Sequence, residues 1–183
     1  GKPTPFVGRD KELTWLERTL HESIEDSVLR VVLVLGAPGQ GKSRLRHELV
    51  AQVRTHDTLR VLTARADPVG AGSALLLVRQ LVRGAVGLHR GTPAAEQHAR
   101  LRAYLCELCP STDSTRLAEF LGELIDAPSQ ARPSPELRAA RNDPQIMSVW
   151  LRRCFEQWLA AECDRAPLLI VLEDLHWGDA ASV

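Results

Sequence analysis

The sequence predicts an α/β fold built on a parallel sheet, and three observations carry that expectation. Three short apolar runs, at 30–35, 60–65 and 168–172, are separated by stretches with helical spacing. The first run opens directly into a glycine-rich turn and then a helix. The last ends in two carboxylates, at the strand edge where ligands bind in sheets of this kind.

Taken in order, residues 10–26 read as a helix that Asp10 can cap, with Leu13, Leu16, Leu20 and Ile24 recurring on one face. Arg30 to Leu35 is nearly all apolar and reads as a strand buried on both faces. Gly36–Gly41 must turn, and Lys42 to about His56 is helical, with Leu45, Leu49 and Val53 on one side. Arg60–Arg65 is a second strand, broken by Ala66-Asp67-Pro68-Val69-Gly70. Three helices are expected near 73–88, 94–107 and 114–126. The stretch 127–144 holds Pro128, Pro133, Pro135 and Pro144 and reads as a loop. A long amphipathic helix, 145–163, places Met147, Trp150, Cys154 and Trp158 along one stripe. The third strand, Leu168–Leu172, follows Pro167 and ends in Glu173-Asp174. The helices between 73 and 163 thus form an insert ahead of the last strand.

The bulk composition excludes several classes. At 183 residues, 44% apolar and 25% charged, the chain has enough apolar material for one globular core or slightly more. Lys plus Arg equals Asp plus Glu, so no global field draws it to nucleic acid or to an anionic membrane. No apolar run approaches the ~20 residues that span a bilayer. Residues 1–5 contain no apolar signal region, and four cysteines are too sparse for a disulfide scaffold, which points to a reducing cytoplasm.

The chemistry is concentrated in Gly36-Ala37-Pro38-Gly39-Gln40-Gly41-Lys42-Ser43, which fits G-x-x-x-x-G-K-[ST] without a mismatch. The glycines let the backbone turn tightly and bring its N–H groups to phosphate oxygens. The helix beginning near Lys42 aims its positive end at the same place. Lys42 reaches the β- and γ-phosphates, and Ser43 offers a hydroxyl oxygen to Mg²⁺, a hard cation. Arg44 completes the nucleotide-binding stretch. A chance match to this pattern is expected in roughly one chain of this size in a hundred, and the position between a strand and a helix reduces that further. The predicted ligands are ATP or ADP with Mg²⁺. The carboxylates of Glu173 and Asp174 supply what a phosphate cradle lacks: one to hold the metal, the other to orient or deprotonate the attacking water.

Three blocks together resemble the AAA+-related STAND ATPases with Orc1-like ATPase domains: Phe6-Val7-Gly8-Arg9-Asp10-Lys11-Glu12-Leu13, the glycine-rich loop, and Leu169 to Asp179, which contains Asp174-Leu175-His176-Trp177. The segment Arg141-Asn142-Asp143-Pro144-Gln145 is most similar to the modules attached to bacterial serine/threonine protein kinases. The resemblance implies that Phe6, Val7, Gly8 and Arg9 lie against the adenine. It implies that Glu173-Asp174 is a Walker B pair, with Glu173 at the Mg²⁺ position and Asp174 as the hydrolytic carboxylate. Asp is the more usual first residue there, and the longer Glu173 departs from that pattern. His176 and Trp177 are expected to pack in a turn beside the site. The family sheet has five parallel strands in the order 5-1-4-3-2, so a P-loop NTPase of this type would need two C-terminal strands that this chain does not contain.

Other features are not promoted. Cys106-Glu107-Leu108-Cys109 has no partner pair at zinc spacing and lies in a helical pattern, so it reads as helix packing. The histidines show no metal spacing, and the four tryptophans belong to core and turns. The resulting expectation is an ATP-binding, slowly hydrolysing switch module within a larger bacterial signalling protein, such as a serine/threonine protein kinase. Its partners would be nucleotide and the kinase or effector domains of its parent, with self-association left open and no membrane or direct nucleic-acid contact. The alternatives are the ATPase module of a DNA-binding transcriptional regulator and a P-loop phosphotransferase acting on a small molecule.

Overall fold

The computed structural model describes residues 8–54, 58–68, 75–89, 91–110 and 113–178. The chain divides into two compact units, residues 1–61 and 62–183.

The first unit is built on two packed helices, α1 (Asp10–Glu25) and α2 (Lys42–Val53). Leu13 is buried on α1, and Leu45, Leu49, Val50 and Val53 are buried on α2. The apolar stripe expected on α1 fades along its length, with Ile24 exposed. Asp10 is the first helical residue and not the cap: Arg9 occupies the N-cap position without a side-chain bond. Asp10 and Glu12 instead place negative charge in the first turn, where it suits the helix dipole.

The segment 28–37 departs from the sequence expectation. It forms no regular element, and between Leu29 and Leu35 it pairs with no strand among the described residues. Its side chains face solvent on both sides, with Val31 at 86%, Leu33 at 64% and Leu35 at 81% exposure. Apolar composition gives a segment the capacity for burial, but a strand is buried only when neighbours satisfy its N–H and C=O groups. Here none does so. The chain leaving α1 is held locally, by Ser23 Oγ donating to Val28 O and by Arg30 pairing with Glu22 and Asp26.

The second unit joins a short sheet to a helical cluster. Strands β1 (Arg60–Arg65) and β2 (Leu168–Glu173) pair in parallel, and the Ala66 N–H donates to Glu173 O at their C-terminal ends. β1 alternates: Leu62 and Ala64 are buried, whereas Thr63 and Arg65 are exposed. β2 is half-buried along its whole length, less deeply placed than its apolar run suggested, because β1 is its one strand neighbour among the described residues.

Between the strands run α3 (Leu76–Val86), α4 (Ala94–Leu108), α5 (Asp113–Leu124), α6 (Pro135–Asn142) and α7 (Pro144–Arg165). α5 packs on α4 and α7, and α6 packs on α7. The core sits there, around Phe120, Leu121, Leu101, Leu105 and Trp158, all fully buried. The stripe expected on α7 is present: Cys154 and Trp158 are buried, and Met147 and Trp150 pack at the edge of the core. Trp150 stacks on Phe120 at 5.1 Å between ring centroids. Gly122 lets helices approach closely, since a Cβ there would lie 3.0 Å from Ala127 O and 3.2 Å from His98 Nδ1.

The stretch 127–144 is not all loop, because α6 lies within it. Two of its prolines sit at the first helical position, where a missing N–H costs nothing. Ser134 caps α6 by accepting from the Leu137 N–H, and Asp143 caps α7 by accepting from Gln145 and Ile146. Among the described residues no helix is long and apolar enough to cross a membrane.

Candidate nucleotide site

The loop before α2 is shaped as an anion cradle. Gly39 and Gly41 have φ of +82° and +79°, backbone conformations that side chains disfavour, and each leaves open space where a Cβ would stand. Gly41 is the N-cap of α2 and no side chain caps this helix end. The N–H groups of its first turn therefore lack intrahelical partners and point out of the helix. Gln40 folds back so that its Oε1 accepts from the Ala37 N–H at 3.0 Å, which tightens the turn from within. Lys42 curls over the loop and donates from Nζ to Gly36 O at 2.6 Å and Ala37 O at 3.0 Å. Both partners are carbonyls and neither neutralises its charge. A phosphate oxygen would supply the missing negative charge, so the residues present fit a nucleotide's phosphates. Ser43 is exposed in the same turn, with its oxygen open to a hard cation. Arg44 is engaged differently, pairing with Glu48 one turn on at 2.6 Å.

Residues 36–41 are all exposed, Pro38 included. Gly8 has a φ of +83° and Arg9 opens α1, whereas Phe6 and Val7 lie outside the described residues.

The carboxylate pair belongs to the second unit. Glu173 ends β2, and its carbonyl is fixed by the bond from Ala66. Asp174 follows in a left-handed conformation, φ 55° and ψ 40°, which aspartate tolerates better than most residues. Its Oδ2 accepts from Arg65 Nε at 2.9 Å. Arg65 stands at the end of the neighbouring strand, so the parallel pairing of β1 and β2 brings the two together. The backbone of Arg65 is gripped in turn by Gln80 of α3: the Arg65 N–H donates to Gln80 Oε1 at 2.9 Å, and Gln80 Nε2 donates to Arg65 O at 2.8 Å.

The sequence reading missed both residues. Arg65 carried a usable signal, a charge at the ligand-side edge of the sheet. Gln80 carried none, being one polar residue in an amphipathic helix. Past Asp174 the expected turn is a short 3₁₀ helix, Leu175–Trp177, but His176 and Trp177 are exposed rather than packed. Their rings meet each other at 5.1 Å.

The cysteine pair divides similarly. Cys109 ends α4 and packs at the core, whereas Cys106 is exposed, so packing accounts for one of the two. The segment 141–145 serves the helix joint: Arg141 pairs with Glu123 at 2.6 Å, a bond that raises the pKa of its guanidinium, and Asp143 caps α7.

The AAA ATPase domain family matches residues 5–183. The chain belongs to that family. An AAA ATPase domain is a P-loop nucleotide-binding module. A protein of Rhizobium meliloti (strain 1021), named only as uncharacterized, is 29% identical over 182 residues, covering 97% of this chain. This AAA ATPase domain spans 16% of the length of that relative. No solved structure matches the chain.

Proposed function

We propose that this AAA ATPase domain is a regulatory switch of the STAND type, which binds ATP with Mg²⁺, hydrolyses it slowly and holds ADP between cycles. The observation that carries this reading is Lys42, an ammonium curled onto two loop carbonyls beside an uncapped helix N-terminus. Gly36, Ala37, Gly39, Gln40 and Gly41 would wrap the phosphates with backbone N–H groups, Pro38 would shape the turn without a donor, and Lys42 would exchange its carbonyl partners for phosphate oxygens. Ser43 and Glu173 would hold Mg²⁺, which when bound neutralises charge on the β- and γ-phosphates. Asp174 would orient the attacking water and accept its proton. Phe6, Val7, Gly8 and Arg9 would line the adenine.

The switch reading draws on the resemblance of Phe6–Leu13 and Leu169–Asp179 to the STAND pattern and on the small share of its relative that the domain covers. A module of this size in a much longer protein is suited to transmitting nucleotide state to its neighbours. The resemblance of Arg141–Gln145 to kinase-linked modules favours a serine/threonine protein kinase as parent and a cytoplasmic setting.

Calorimetry on a Lys42→Ala variant tests the site. The loss of one charge-assisted contact should weaken ATP binding at least roughly tenfold; unchanged affinity removes the phosphate cradle from this loop. Substituting the carboxylates separates their roles. Glu173→Gln should weaken Mg²⁺-dependent binding, whereas Asp174→Asn should preserve binding and slow turnover. Turnover at the parent rate in Asp174→Asn would take hydrolysis away from that residue.

A further inference from the structure

The carboxylate proposed to act in hydrolysis is tied, through two residues, to the helical cluster of the second unit. Asp174 Oδ2 is held by the Arg65 guanidinium, and Arg65 is held by Gln80. The second link is the unusual one. A single side-chain amide satisfies both the N–H and the C=O of Arg65, as a neighbouring strand would. β1 therefore ends on a side chain of α3.

α3 is itself fastened to the helices beyond it. Arg79 pairs with Asp126, which stands in a left-handed conformation just past the end of α5. Arg83 donates to Ile125 O at 3.1 Å and to Gln97 Oε1 of α4 at 2.7 Å. Arg79 and Arg83 are one helical turn apart, and both bind at the C-terminal end of α5, where cations suit the helix dipole. One face of α3 thus grips the α5 terminus and α4, while Gln80 grips the strand that carries Arg65. A movement of α3 relative to β1 has to break or carry along the Gln80–Arg65 pair.

We infer that Gln80 is a positioning residue that couples the α3–α5 cluster to the Walker B carboxylate: it fixes the strand end of Arg65 and so keeps the guanidinium on Asp174. With the link made, one oxygen of Asp174 is engaged by a cation and turnover is restrained. When α3 shifts and Gln80 lets go, Arg65 loosens and Asp174 is freed to engage water. The inference deepens the proposed function and rests on its assignment of Asp174.

The test uses the full chain and the variants Gln80→Met, Arg65→Ala and the double variant. Methionine keeps most of the bulk of Gln80 and removes both hydrogen bonds, so a purely space-filling role would be preserved. In Gln80→Met the Arg65 amide should exchange with solvent about three- to tenfold faster, the scale of one lost hydrogen bond. The Arg65 Nε–H resonance should lose its Asp174-dependent shift, which Asp174→Asn would abolish outright. Single-turnover hydrolysis should rise severalfold at unchanged ATP affinity. The double variant should hydrolyse no faster than Arg65→Ala, because both act along one path.

Unchanged amide exchange and an unchanged Nε–H shift in Gln80→Met would overturn the coupling, as would hydrolysis gains in the two single variants that simply multiply. A fall in turnover in Gln80→Met with fold and affinity intact would overturn the restraint. Failure of the function assignment looks different: ATP does not bind the parent, or Asp174→Asn hydrolyses normally, while the two spectroscopic readouts still report whether Gln80 holds Arg65.

Discussion

Val31–Leu35 and Leu168–Leu172 are two runs of five aliphatic residues with nearly the same composition and opposite surroundings. The second forms β2, paired with β1 and packed against the helical core through Leu168, Ile170 and Leu172. The first forms no regular element, and all five of its side chains are exposed. Local preference is the same in both, so the difference lies in partners. β2 lies beside a strand that satisfies its backbone and beneath helices that cover a face, whereas 31–35 has no strand beside it among the described residues. A strand is a property of a pair, and an apolar run states only what a segment could bury.

The comparison can be pressed hardest from the covered side. Trp158 is fully buried in the helical core and its ring lies 5.3 Å from that of Phe155. Trp158→Ala should cost about 3–5 kcal/mol, read as a shift in the denaturation midpoint of the second unit. A loss below about 1 kcal/mol would mean that this core is loosely packed and that β2 is no better supported than 31–35.

Most of the second unit was legible in the sequence, and the misses have physical causes. Arg60–Arg65 and the α7 stripe were readable because alternation and helical spacing record which side is covered. α6 departs from the loop that four prolines suggest over 127–144, because Ser134-Pro135-Glu136 is a helix start: a hydroxyl cap, a proline at the first position and an acid in the first turn. Glu162 was not expected inside, yet it lies one turn beyond Trp158 on the buried stripe and is fully buried. The glycine loop and the carboxylate pair stand out in the sequence as candidates because each fixed residue answers a local geometric demand. Arg65 on Asp174 and Gln80 on Arg65 were not, because they join residues that only the parallel pairing and the packing of α3 bring together.

Two helical glycines sharpen the same contrast between filled and open surroundings. A methyl at Gly122 would press on the carbonyl of Ala127, whereas at Gly84 it meets nothing within 4 Å. Gly122→Ala should destabilise by about 1–2 kcal/mol, since backbone cannot retreat as a side-chain tip can. Gly84→Ala should stabilise by about 0.5–1 kcal/mol through helix propensity alone. Equal effects in urea denaturation would mean that α4 and the end of α5 do not approach as closely as described.

The caps come next. Ser134→Ala removes the acceptor for the Leu137 N–H and should cost about 1 kcal/mol. Ser134→Asp should restore most of that loss. If alanine is tolerated without cost, α6 is held by its packing on α7 and its capping bond is dispensable.

The smallest expected effect is also the most discriminating. Replacing Val31 and Leu33 together by serine should change stability by no more than about 0.5 kcal/mol, the usual range for exposed positions. The side chains being removed are 86% and 64% exposed, so truncating them returns almost no apolar surface to water. The same double exchange at Ile170 and Leu172 removes side chains that pack on the core and should cost several times more. Amide exchange gives an independent reading of the same difference: the backbone of 31–35 should exchange at nearly the rate of an unstructured peptide, while the paired amides of β2 are protected. A loss of 2 kcal/mol or more at Val31 and Leu33, together with protected amides there, would mean that this run has found a strand partner in solution, and the two regions would then differ in when they are paired rather than in whether they are.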